Sequence, residues 1–215
     1  MTLLYTPLDI KFDMPPAEDI VAWFDANKIY DPDYWVFQQG RHEWALAAAS
    51  QPVTNWQRIK PYEDWLAQNH IMSDKAELTF APGFATMFPG LVDCIMQLPF
   101  VEIGAVGLLK QLKEIEPHVD TFDPTMPTEP RRYLVLLTPP AENTFYILKN
   151  DIPEVVPVHP DYRAFAFNST DTTHGAIAPS GIKILMSVVG ILDHDAHAAL
   201  ITRSMDKFKE WTIFL

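Results

Sequence analysis

The chain has 215 residues, 48% of them apolar and 12% aromatic, and a formal charge of −12. This length and apolar content suit a single domain spanning 1–215 with a sizeable core. The acidity argues against general nucleic-acid binding, which needs a basic surface, and makes a soluble small molecule or a peptide an easier partner to expect than a polyanion. No apolar run reaches the roughly 18–20 residues that cross a bilayer. Met1-Thr2-Leu3-Leu4-Tyr5-Thr6 lacks the basic start and long apolar stretch of a secretory signal. Cys94 is the only cysteine, so no intrachain disulfide forms and a cytoplasmic, membrane-free protein is expected.

In chain order, the first third (1–99) reads as mainly helical support. Pro15-Pro16 lead into Ala17-Glu18-Asp19, after which Ile20, Val21, Trp23 and Phe24 recur at helical spacing; a proline and acids at a helix start suit its geometry and dipole. A second helix is predicted over 62–69, opened by Pro61. A third is predicted over 91–98, with Leu91, Val92, Ile95 and Met96 as its buried stripe. The stretch 31–56, with Trp35, Trp44 and Trp56, matches neither period, and its tryptophans read as core. From Val101 short strands take over, at 101–109, 133–138, 144–149, 162–167 and 183–191, separated by proline-rich breaks such as Pro124-Thr125-Met126-Pro127 and Pro139-Pro140. Strands so spaced after helices predict an α+β fold: a two-sheet jelly-roll barrel over 100–192 with helices packed outside one sheet. A last amphipathic helix is expected over 195–211.

Chemistry concentrates in the β-rich part. In Glu116-Pro117-His118-Val119-Asp120, alternation along a strand points His118 and Asp120 to one face. His174, in the polar segment Asp171-Thr172-Thr173-His174-Gly175, supplies a second imidazole. Two histidines and one carboxylate are the ligand set of non-haem Fe(II) oxygenases, with further coordination positions open. A lone His-x-Asp occurs often by chance; His174 and the downstream Lys183 give it weight. Lys183 stands in the apolar run Ile182-Lys183-Ile184-Leu185-Met186-Ser187-Val188-Val189. A buried ammonium needs an anion or a route to solvent, so Lys183 is either an edge-strand guard or a cation at the bottom of a pocket. Elsewhere, Asp193-His194-Asp195-Ala196-His197 reads as helix capping, and His42, Glu43, His70 and His159 have no companions at ligand spacing. Asn168, Ser169 and Thr172 are possible pocket-lining residues, and Cys94 reads as structural. Phosphate loops, a nucleophile elbow and zinc-type cysteine clusters are absent.

Over 88–191 the chain resembles the Fe(II)/2-oxoglutarate-dependent dioxygenases, in layout nearest the aspartyl/asparaginyl β-hydroxylase and prolyl hydroxylase branches. The resemblance rests on the helix ending at Leu98-Pro99, on Pro117-His118-Val119-Asp120, on Arg131-Arg132-Tyr133-Leu134-Val135-Leu136-Leu137, and on His174 followed by Lys183. It implies a cupin-like double-stranded β-helix in which His118, Asp120 and His174 bind iron and Lys183 holds the distal carboxylate of 2-oxoglutarate. Arg132, or else Arg131, falls where β-hydroxylase-like relatives carry a second cosubstrate-binding arginine. Those relatives have a histidine two positions on, where this chain has Leu134. The implied reaction consumes O2 and 2-oxoglutarate, releases succinate and CO2, and hydroxylates an amino acid, a peptide side chain or a small metabolite. Two alternatives stay open: a barrel that binds a metal or a small acid without turnover, and a cupin-like metalloenzyme using another metal.

Overall fold

Ile184-Leu185-Met186-Ser187-Val188-Val189 is apolar on both of its alternating faces, as a strand covered on both sides requires. In the structure, a computed structural model that describes residues 2–28, 42–49, 78–120 and 131–215, this run is the heart of β11 (Lys183–Leu192). Before it come β1 (Leu3–Pro7), α1 (Ala17–Asn27), β2 (His42–Ala49), β3 (Thr79–Phe80), α2 (Phe84–Met87), α3 (Pro89–Gln97), β4 (Phe100–Gln111), β5 (Ile115–His118), β6 (Arg131–Leu136), β7 (Phe145–Lys149), β8 (Ile152–Val155), β9 (Ala164–Phe167) and β10 (His174–Ala176). After it come α4 (His194–Lys207) and β12 (Ile213–Phe214).

Among the described residues the strands form two sheets, with orders β12-β1-β9-β6-β11-β4-β2-β3 and β5-β10-β7-β8. Neighbours in both pair antiparallel. Alternation along the strands sorts side chains between two cores. Ile184, Met186 and Val188 of β11, with Tyr133 and Val135 of β6, pack against Ile20, Trp23 and Phe24 of α1 and Leu91, Cys94 and Ile95 of α3. The intervening positions face the smaller sheet. There Leu134 and Phe165 meet Phe145 and Ile147, with Leu185 packed alongside. Lys183 and Arg132 share the alternation of Leu185 and Leu134, so both stand on the inter-sheet side.

The molecule is thus mostly β-sheet with few helices. The predicted strands all form, each with slightly different ends, and α1, α3 and α4 fall where helical spacing placed them. Pro89 opens α3, and the Asp193 carboxylate caps α4 by accepting from the Ala196 N–H at 3.0 Å, as its position before the helix predicts. The mainly helical first third is not seen among the described residues. β1 and β2 lie in it, held by backbone pairing to remote strands, β9 and β12 for β1 and β4 for β2. The Ala45-Leu46-Ala47-Ala48-Ala49 run of β2 has high helix propensity that sheet pairing overrides. Trp44, from the unassigned stretch, belongs to β2; the rest of that stretch, with Trp35 and Trp56, the predicted helix over 62–69, His70 and the proline-rich break expected at Pro124-Thr125-Met126-Pro127 lie outside the described residues. No described helix is long and apolar enough to cross a membrane.

Candidate metal centre

β5 and β10 are adjacent antiparallel strands, and their register sets His118 opposite His174. Directly opposed side chains on one face lie within contact distance, and the two imidazole centroids are 4.4 Å apart. β5 ends at His118, so Asp120 lies just past the strand rather than in it. Its backbone N–H donates to the Ser169 carbonyl at 2.8 Å, which secures it beside the pair. The Asp120 Oδ1 atom is 3.8 Å from Nε2 of His118 and 3.8 Å from Nε2 of His174. The ligand atoms of all three residues lie within 4.8 Å of one another. Those separations leave a point about 2.5 Å from each atom, close to metal–nitrogen and metal–oxygen bond lengths of about 2.0–2.2 Å.

The protonation pattern suits a metal. Nδ1 of His118 lies 2.8 Å from the Glu116 carbonyl, and Nδ1 of His174 lies 2.9 Å from the Thr172 carbonyl. A carbonyl only accepts, so each Nδ1 carries the proton and each Nε2 turns its lone pair towards Asp120. Ligating histidines are commonly oriented by this kind of outer hydrogen bond. Burial lowers the pKa of His174, against the opposing pull of the Thr172 carbonyl and the Asp120 carboxylate. Its imidazole is therefore held in the neutral form that binds metals. Asp120 Oδ2 is buried and has no hydrogen-bond partner among the described residues, an arrangement that buried acceptors rarely keep unless a cation serves them. Nη1 of Arg132 lies 3.7 Å from Oδ2. Phe145 and Phe167 stand against the His174 ring at centroid distances of 5.7 and 4.8 Å.

Lys183 is fully buried at the start of β11, which lies between β6 and β4. β11 has no free edge to guard, and the edge-lysine reading falls on that ground. The Nζ donates to Thr144 Oγ1 at 2.9 Å. That hydroxyl in turn lies 3.2 Å from Oε1 of Gln111, whose amide donates to the carbonyls of Lys113 and Ile177 at 2.8 Å. Among the described residues no carboxylate is paired with the ammonium, and burial pulls its pKa down from 10.5 to about 7.

Behind His174, Gly175 is required by packing. A Cβ at this position would sit 2.5 Å from the Tyr146 hydroxyl and 2.6 Å from the Ile115 carbonyl, contacts that backbone and a packed ring cannot relieve. Gly175→Ala is expected to lower the stability of the protein by about 1–3 kcal/mol and to weaken metal binding by pushing β10 away from β5. Urea denaturation and a metal titration of the same variant check both effects.

Of the remaining sequence candidates among the described residues, only Ser169 and Thr172 touch this cluster. Glu43 pairs with Lys28 at 2.9 Å, and His42 packs edge-on against Trp44. His159 is enclosed by Tyr162, Phe208 and Trp211, and His197 hydrogen-bonds Tyr133. Cys94 is buried with its thiol pushed up to about 12, which leaves it unreactive. The Asn168 side chain bonds within its own turn, to Asp171 and Thr170. Ser169 and Thr172 act through their carbonyls, which hold Asp120 and His174. Sequence reasoning missed Thr144 and Gln111. The single signal for either is a polar side chain at the end of an apolar strand.

No family model matches the chain, and no curated protein matches it. Among solved structures, the crystal structure of a Pseudomonas putida prolyl-4-hydroxylase aligns with 87% of this chain and 93% of its own at a TM-score of 0.43 and 8% identity. A likeness of that degree decides neither fold family nor chemistry.

Proposed function

We propose that this chain is a single Fe(II)- and 2-oxoglutarate-dependent oxygenase domain that hydroxylates a small molecule or a peptide side chain, built on a double-stranded β-helix. The observation that carries the reading is the convergence of His118 Nε2, His174 Nε2 and Asp120 Oδ1, in a chain that also buries the Lys183 ammonium with no anionic partner among the described residues. The strand order supports the fold half of it. From β4 to β11 the chain alternates between sheets except at the β7–β8 hairpin, with β4-β11-β6-β9 contiguous in one and β5-β10-β7-β8 forming the other, the pattern expected of a jelly roll.

When bound, iron supplies the O2 chemistry, with 2-oxoglutarate oxidised to succinate and CO2 as one oxygen atom goes to substrate and the other to succinate. The protein's own part is positional. His118, His174 and Asp120 take one side of the ion and leave the rest open. Phe145 and Phe167 flank His174 and keep water from that side. Lys183 meets the far carboxylate of the cosubstrate, with Thr144 orienting the ammonium. Thr144 lies three residues before Ile147, the register partner of His174. At about 3.3 Å per residue that is roughly 10 Å along the strand, room for a short dicarboxylate between ligand face and ammonium.

The test is anaerobic addition of Fe(II) and 2-oxoglutarate. The expected result is a weak visible charge-transfer band, followed by succinate when air is admitted. Neither band nor succinate, with metal still bound, returns the protein to the class of non-catalytic barrels or of metalloenzymes using another ion.

A further inference from the structure

We infer that Arg132 is a positioning residue: it holds the second oxygen of Asp120 away from the metal, so that the carboxylate binds through one oxygen and three positions on the ion stay open. The inference rests on the metal reading above. It gives Arg132 a task other than the cosubstrate contact implied by the family resemblance.

A carboxylate with both oxygens available grips a divalent ion with either one or two of them. Each oxygen used takes a position that a chelating keto acid or O2 would otherwise enter. Here the two oxygens of Asp120 face different neighbours. Oδ1 is 3.8 Å from both imidazole Nε2 atoms, whereas Oδ2 is buried and 3.7 Å from Nη1 of Arg132. The backbone of Asp120 is tied to Ser169, so Oδ2 reaches the ion chiefly by rotation of the carboxylate. That rotation draws Oδ2 away from the guanidinium, and the separation is costly where water is partly excluded. Arg132 is anchored in turn by β6, where it pairs with Val189 of β11. A guanidinium, planar and charged at every working pH, is well suited to the task.

Mn(II) alone is the probe, because water-proton relaxation counts the exchangeable waters on the bound ion without turnover or cosubstrate. Wild-type protein is expected to hold Mn(II) with three such waters. In Arg132→Gln the relaxation per bound ion should fall by about one third as Asp120 chelates, and Mn(II) should bind several-fold more tightly because a nearby cation is gone. Arg132→Lys, which keeps the charge, should restore the wild-type relaxation. Unchanged relaxation and Mn(II) affinity in Arg132→Gln overturn the inference, as does a loss confined to 2-oxoglutarate affinity. Wild-type protein that binds no Mn(II) overturns the metal centre itself, and this inference with it.

Discussion

Lys183→Met should make the ligand-free protein more stable while removing most of its affinity for 2-oxoglutarate. The ammonium is fully buried and, among the described residues, is paired with neutral Thr144 alone; a charge so placed costs several kcal/mol relative to water. Methionine fills nearly the same space without the charge, at the loss of one hydrogen bond worth about 1 kcal/mol. The net expectation is a gain of about 1–3 kcal/mol, in line with replacing buried ionic groups by apolar ones. The pH dependence gives the sign. Because the folded-state pKa is depressed to about 7 from 10.5, the unfolded chain binds more protons between those values. Wild-type stability therefore rises with pH across that window. The variant lacks the rise, so its advantage is full below about pH 7 and shrinks towards pH 10. Urea melts at pH 6 and pH 9 measure it. Loss of the ion pair with the cosubstrate should weaken 2-oxoglutarate binding by roughly 100-fold, about 2.7 kcal/mol, with metal affinity retained. Equal stability at both pH values together with unchanged cosubstrate affinity would show that Lys183 is merely structural.

His174→Ala should abolish metal binding rather than weaken it. Losing even an outer hydrogen-bond partner of a ligand typically costs 10–100-fold, and the loss of one ligand of three exceeds that. Metal added at about 100 times its dissociation constant should stabilise the wild type by about 2.7 kcal/mol and the variant by nothing measurable. His159→Ala is the matched control, an imidazole of the same protein packed against Tyr162, Phe208 and Trp211 and outside the cluster. It should bind metal as the wild type does. A His174→Ala protein that retains wild-type affinity would remove the basis of the oxygenase reading.

The site was more legible in the sequence than the scaffold around it. His118 and Asp120 stand out because strand alternation has a period of two, and Lys183 because one charge interrupts an apolar run. His174 has no such local signal and gained weight only from company. The backbone carbonyls of Glu116 and Thr172, which aim the two imidazoles, and of Ser169, which holds the Asp120 backbone, leave no mark on residue type at all. Thr144 and Gln111 are hidden for a related reason: a threonine or glutamine at a strand end is ordinary until its partner across the sheets is known. The first third misled because β1 and β2 owe their conformation to partners far along the chain, and local propensity carries no information about those.

The order β12-β1-β9 sets the timetable on which this protein is completed. β1 leaves the ribosome well before its partners: Phe165, Ala166 and Phe167 come more than a hundred residues later, and Ile213 and Phe214 later still. Leu4 and Tyr5, buried in the folded protein, wait uncovered until those partners have been made. Such a wait is entropically expensive to resolve and exposes a sticky segment meanwhile. The nascent amino-terminal strand is therefore where misassembly begins and where a chaperone is best employed.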